Sequence, residues 1–162
     1  MIKNEPTIKG GIIDLNRGQI QQRAAVYGYH YQLALQFGID AVATGKMAIG
    51  KLGEMNANDL LHNMDQNPTI LEFTNAMFNP LIQKTYELNI SSANENEVMI
   101  EFGYCPLVAM WQKQHFTDEQ IEQLCDIAME ADRSAANTAG FQVEITDTIA
   151  KGCPRCKMRF YK

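Results

Sequence analysis

Hydrophobic positions recur with a period near that of a helix over the first half of the chain and with a period of two over much of the second. Ile20, Ala24, Tyr27, Tyr31, Ala34 and Leu35 share one helical stripe, widened by Val26, Leu33 and Phe37. Gln21, Gln32 and Gln36 stand opposite, and Gly38 supplies a stop. Asp40 is placed to N-cap a second helix over 41–55. Its glycines, Gly45, Gly50 and Gly53, weaken it by propensity and suit close packing against a neighbour. The spacing predicts a further short helix over 58–64, and helix rather than strand over 69–80.

The period then changes. Tyr86, Leu88 and Ile90 alternate with polar residues, as do Val98, Ile100 and Phe102, and the polar stretch 92–96 between them reads as a hairpin turn. Pro106 opens a helix that continues to His115. Thr117 and Gln120 form a capping box for a helix predicted to run to about Asn137, ahead of Gly140. Phe141, Val143 and Ile145 alternate, as do Cys156, Met158 and Phe160, and the turn 151–155 makes them a second hairpin. This order is α+β. It predicts a single domain over 1–162, helical over about 14–80 and strand-rich over about 84–162. The helical half is expected on one face of an antiparallel sheet built from two hairpins.

Composition narrows the function. With 46% hydrophobic and 20% charged residues among 162, the chain is globular rather than disordered. A net charge of −5 argues against a nucleic-acid surface. The lack of an 18-residue apolar run argues against a membrane span, and an N-terminus without an apolar segment points to a cytoplasmic setting. The four cysteines are then thiols or metal ligands. A small-molecule substrate is the expected partner, and homo-oligomer formation is left open. The stretch 45–51 has phosphate-loop spacing, but Leu52 stands where Ser or Thr must bind magnesium, so it reads as a packing helix.

Cys105 ends a strand and precedes Pro106, which places it at a helix N-terminus. There the dipole and free N–H groups favour a thiolate nucleophile, and the alternative is a small buried residue turning a corner. Cys125 lies on the inward stripe with Ile121, Ala128 and Asp132, and reads as core. Asp132 is a carboxylate on an apolar stripe: either a satisfied structural residue or an acid–base group lining a cavity. His30 sits beside Tyr27 and Tyr31, as a core histidine or as part of an aromatic pocket wall. Cys153 and Cys156 form a C-x-x-C in a turn, which could hold zinc only with two further ligands.

Four segments together resemble a known family: Cys105-Pro106-Leu107; 124–128 with Asp132-Arg133; 146–152 (Thr-Asp-Thr-Ile-Ala-Lys-Gly); and Cys156-Lys157-Met158-Arg159-Phe160. Their order and spacing are similar to the L-2-amino-thiazoline-4-carboxylic acid hydrolase family of small bacterial proteins, over about 86–162. Met158 stands where the family has phenylalanine, and Cys153 where a polar residue is commoner, which weakens the zinc reading. The resemblance implies ring-opening hydrolysis of a cyclic amidine at a C–N bond. In that reading Cys105 is the nucleophile or a contact residue, and Asp132, with Asp126 in reserve, holds the amidinium and relays protons. His30, Tyr27 and Cys156 are the expected substrate-binding residues. No cofactor is predicted. The competing reading is a non-catalytic ligand-binding or sensor domain similar in build to the 4-vinyl reductase-like domains, with zinc or another divalent metal at Cys153 and Cys156.

Overall fold

The computed structural model describes residues 1–64 and 67–162; Asp65 and Gln66, inside the predicted helical part, lie outside the described residues. The described elements are α1 (Gly11–Gln36), α2 (Ala41–His62), α3 (Ile70–Met77), α4 (Pro80–Tyr86), β1 (Leu88–Ala93), β2 (Glu97–Phe102), α5 (Pro106–Lys113), α6 (Asp118–Ala128), α7 (Glu130–Thr138), β3 (Gln142–Ile145) and β4 (Cys156–Tyr161). The fold is α+β: α1 to α4 precede the sheet, α5 to α7 lie between β2 and β3, and the antiparallel sheet has the order β1-β2-β4-β3.

Local chemistry sets the helix ends. Asp40 caps α2 through the N–H groups of Val42 and Ala43. Thr69 with Glu72 and Thr117 with Gln120 close reciprocal capping boxes on α3 and α6. Asn79 caps α4 ahead of Pro80, and Pro106 opens α5 directly after β2.

Four expectations are corrected. The helix predicted over 41–55 runs on to His62 and absorbs the short helix predicted after it. Tyr86 ends α4 instead of starting a strand, because Glu87 takes a left-handed conformation (φ 51°) and turns the chain into β1. The helix predicted to reach Asn137 is divided at Met129 into α6 and α7. Val26, Leu33, Leu35 and Phe37 of the first helical pattern are exposed, since α1 faces the core through Ile20, Ala24, Tyr27, Gly28, Tyr31 and Ala34.

The three glycines of α2 do pack tightly. A Cβ on Gly45 would meet Ile127 at 2.9 Å, and one on Gly50 would meet Ser134 Oγ at 3.0 Å. One on Gly53 would overlap the main chain of Ala131. Two apolar clusters result. One gathers α1, α5 and α6 around Trp111, whose Nε1 donates to the Ala24 carbonyl at 2.9 Å. The other lies between α3, α7 and the inner sheet face of Val98, Ile100, Met158 and Phe160. Tyr86 and Cys156 pack against both clusters.

Candidate functional site

Between the two clusters lies a cavity of about 320 Å³, within the size range of small-molecule sites. From the first cluster come Cys105, Trp111 and Cys125; from the second, Phe78, Phe102, Ala135 and Met158. Helices α2 and α7 form a further wall, with Gly53 and Asn56 on one and Ala131 and Asp132 on the other. Most of the lining is apolar. Among the described residues, Arg23 and Asp132 are the only ones of charged type in the lining.

Asp132 is held three residues into α7, where its N–H donates to the Met129 carbonyl at 3.1 Å. The adjacent Arg133 turns away, bonding Asp126 at 2.7 Å and Glu130 at 3.0 Å. Among the described residues Asp132 has no ion-pair partner. Burial raises its carboxyl to about 7, against the smaller opposing pull of the Arg133 and Arg23 charges. A carboxyl that titrates near neutrality in an apolar cavity can give or take a proton at physiological pH.

Cys105 caps α5 with its backbone but closes no side-chain cap bond. Its main chain is held from both sides by Asn4, whose Nδ2 donates to the Cys105 carbonyl at 2.8 Å and whose Oδ1 accepts from the Cys105 N–H at 2.9 Å. The helix N-terminus was expected to favour the thiolate. Burial wins instead and pushes the Cys105 thiol up to about 12, with the N–H groups of Val108 and Leu107 pulling the other way. Desolvation likewise raises Cys156 to about 11, although its sulfur accepts from the Ile149 N–H at 3.2 Å. Burial also lifts Cys125 well above the ordinary thiol range. Three protonated thiols therefore face one carboxyl.

Of the residues singled out in the sequence, Cys105, Asp132, Tyr27 and Cys156 line the cavity, and Cys125, read as core, joins them. Asp126 does not. It bonds Lys46 at 2.6 Å and Arg133 at 2.7 Å, tying α2 to α6 and α7. Those bonds outweigh partial burial and hold its carboxyl below the usual range. His30 is exposed on α1, away from the lining, and Cys153 lies outside it as well. Among the described residues no three His, Cys, Asp or Glu side chains are grouped to hold a metal ion. Arg23, Tyr86 and Asn56 were missed. Tyr86 carried a strand-like alternation, and nothing in the pattern of α1 or α2 marks Arg23 or Asn56 as facing a cavity.

The sequence matches the family model described as L-2-amino-thiazoline-4-carboxylic acid hydrolase over residues 18–160. The chain belongs to this hydrolase family. The match extends through the helical half as well as the strand-rich half, so Arg23, Tyr27 and Asn56 lie inside it with Cys105 and Asp132. No curated protein matches the sequence. Among solved structures, the fold is similar to that of a trafficking protein particle complex subunit 3 from Naegleria fowleri covalently bound to palmitic acid. The identity is 13% and the TM-score 0.60, over 91% of this chain and 95% of that one. At that identity the two amino-thiazoline hydrolase-like and trafficking sequences share a fold alone. No described helix of the protein is long and apolar enough to cross a membrane.

Proposed function

We propose that the protein hydrolyses a small cyclic amidine of thiazoline type at a ring C–N bond, with Asp132 as the proton-handling group and Cys105 as its partner in the cavity. The observation that carries this reading is the Asp132 carboxyl, without an ion-pair partner among the described residues and raised to about 7 inside a mostly apolar cavity. As a carboxylate it is a planar acceptor that matches an amidinium in two parallel hydrogen bonds. Arg23, at the rim, is positioned to hold a substrate carboxylate. The two charged residues of the lining thus complement a substrate that is cationic at one end and anionic at the other.

With the amidine carbon against Cys105, Asp132 takes a proton from the attacking group. If water attacks, its oxygen bonds to that carbon, the ring C–N bond breaks, and the proton passes through Asp132 to the departing ring nitrogen. If the Cys105 sulfur attacks, its proton follows the same route, and water releases the product from sulfur in a second step. A thiol raised to about 12 disfavours an idle thiolate, so Cys105 would act only with the cationic substrate in place.

Turnover of an amino-thiazoline carboxylate by Asp132→Asn should fall about 10²- to 10⁴-fold, the usual worth of a positioned acid–base group. Activity within threefold of the parent would overturn the assignment. Cys105→Ser separates the two routes: lost turnover supports sulfur attack, and near-parental turnover leaves Cys105 as a contact residue.

The apolar lining and its three thiols favour one second reading, a non-catalytic domain that holds an apolar ligand. The solved structure of the same fold carries a covalently bound palmitic acid. Intact-mass analysis of the purified protein separates the readings. An acyl adduct on a cavity cysteine, together with no turnover, supports the second.

A further inference from the structure

Helix α1 carries two apolar stripes. The inner one packs on α5, α2 and α4. On the outer side Ile12, Leu15, Val26, Tyr29 and Leu33 are each between 52% and 64% exposed. Together with the exposed Gln19 and Gln22 they occupy positions 12, 15, 19, 22, 26, 29 and 33. That is the alternating three- and four-residue spacing of a coiled-coil seam. Phe37, 71% exposed, extends the stripe past the helix end. The two stripes lie on different sides of the helix, so the contacts that bury one leave the other open.

We propose that this outer stripe is the surface through which two copies of the chain pair, α1 against α1. A seam of this period is matched by a helix of the same period, and a second copy supplies one. Charge agrees. Each chain carries −5 overall, yet between Gly18 and Gln36 Arg23 is the sole Asp, Glu, Lys or Arg. Two such faces meet without like-charge repulsion, and charge depletion marks the centre of protein interfaces. Area agrees as well: the six exposed apolar side chains present roughly 700 Å² per copy, against about 800 Å² per partner in a standard interface. A bilayer fits the stripe less well, because Gln19 and Gln22 interrupt it and Arg23 is the single Lys or Arg between Gly18 and Gln36, far from the Lys- and Arg-rich polar face of membrane-surface helices. The pairing is independent of the chemistry in the cavity. It also stands beside it, because Arg23 and Tyr27, on the same turns of α1, line the cavity.

Sedimentation velocity over a dilution series of the full chain tests this. The expected result is a species of twice 18.3 kDa that dissociates on dilution. Val26→Glu with Leu33→Glu should weaken the association at least about 100-fold while leaving far-UV circular dichroism unchanged, since each charge would be buried only in the dimer. The dilution series on the parent protein stands on its own should the variant fail to fold. A parent that stays monomeric at 100-fold above typical assay concentration overturns the proposal. So does a dimer that survives both substitutions, or a monomer that co-sediments with anionic phospholipid vesicles through Val26 and Leu33.

Discussion

Gly53 of α2 lies directly against the main chain of Ala131, with a Cβ built on the glycine only 2.9 Å from the Ala131 carbonyl carbon. Backbone cannot move aside as a flexible side chain can, so α2 and α7 owe their close approach to that hydrogen. Ala131 precedes Asp132, and both line the cavity with Gly53. Gly53→Ala should therefore destabilise the fold by roughly 2–4 kcal/mol despite its gain in helix propensity, because overpacking a rigid contact costs more than propensity returns. Urea denaturation checks this. A change smaller than 0.5 kcal/mol (about the scatter of surface substitutions) would mean that the helices do not meet there.

Asp132 should make the protein less stable as pH rises. Its carboxyl is raised from 3.8 to about 7 in the folded state, so between those values the native form binds more protons than the unfolded form. Stability then falls with increasing pH across that window and levels off above it. Asp132→Asn removes this dependence. At pH 8 it should be more stable than the parent by on the order of 2 kcal/mol, allowing for water in the cavity. Thermal unfolding of both proteins from pH 4 to 8 gives the answer. Parallel curves would show that the carboxyl is not held in an apolar setting.

Asp126 should behave in the opposite way. Its bonds to Lys46 and Arg133 hold its carboxyl below the usual range, so its contribution to stability is present at neutral pH and lost as the pH falls through its folded value. Asp126→Asn is expected to cost about 1 kcal/mol, a modest figure because the pair is partly exposed. Turnover should stay near parental, since the carboxylate lies outside the cavity. A collapse of activity with unchanged stability would instead give Asp126 a place in the chemistry.

Much of this architecture is legible in the sequence because it is written locally. Capping boxes at Thr69 and Thr117 and the alternation in β2 and β4 each occupy a few consecutive residues. The position of Cys105 after a strand and before Pro106 is equally local, as is Asp132 on an apolar stripe. What escapes is set by tertiary approach. The apolar residues of α1 divide between two stripes, and periodicity does not tell which stripe the chain itself covers. The division of α6 from α7 at Met129 carries no glycine or proline signal. Arg23 and Tyr86 become cavity residues only once α1 and α4 are packed. The thiolate expected at Cys105 fails for the same reason: a helix N-terminus is visible in sequence, whereas the desolvation that outweighs it is a property of the packed core.

The thiols offer a last test, because their burial orders their reactivity. Cys105 and Cys125 are buried, with thiols raised by desolvation, and Cys156 is raised to about 11, while Cys153 lies in the turn ahead of β4. The thiolate is the reactive form, and each unit of raised pKa removes about tenfold of it at neutral pH. Iodoacetamide at pH 7.5 should thus label Cys153 first and leave Cys105 and Cys125 largely unmodified in the folded protein, as peptide mass mapping over time would show. Raising the pH to 9.5 should still leave Cys105 slow, because burial holds its thiol at about 12. Rapid labelling of Cys105 at pH 7.5 would mean that the helix N-terminus, not burial, governs its sulfur, and would restore a resting thiolate to the catalytic scheme.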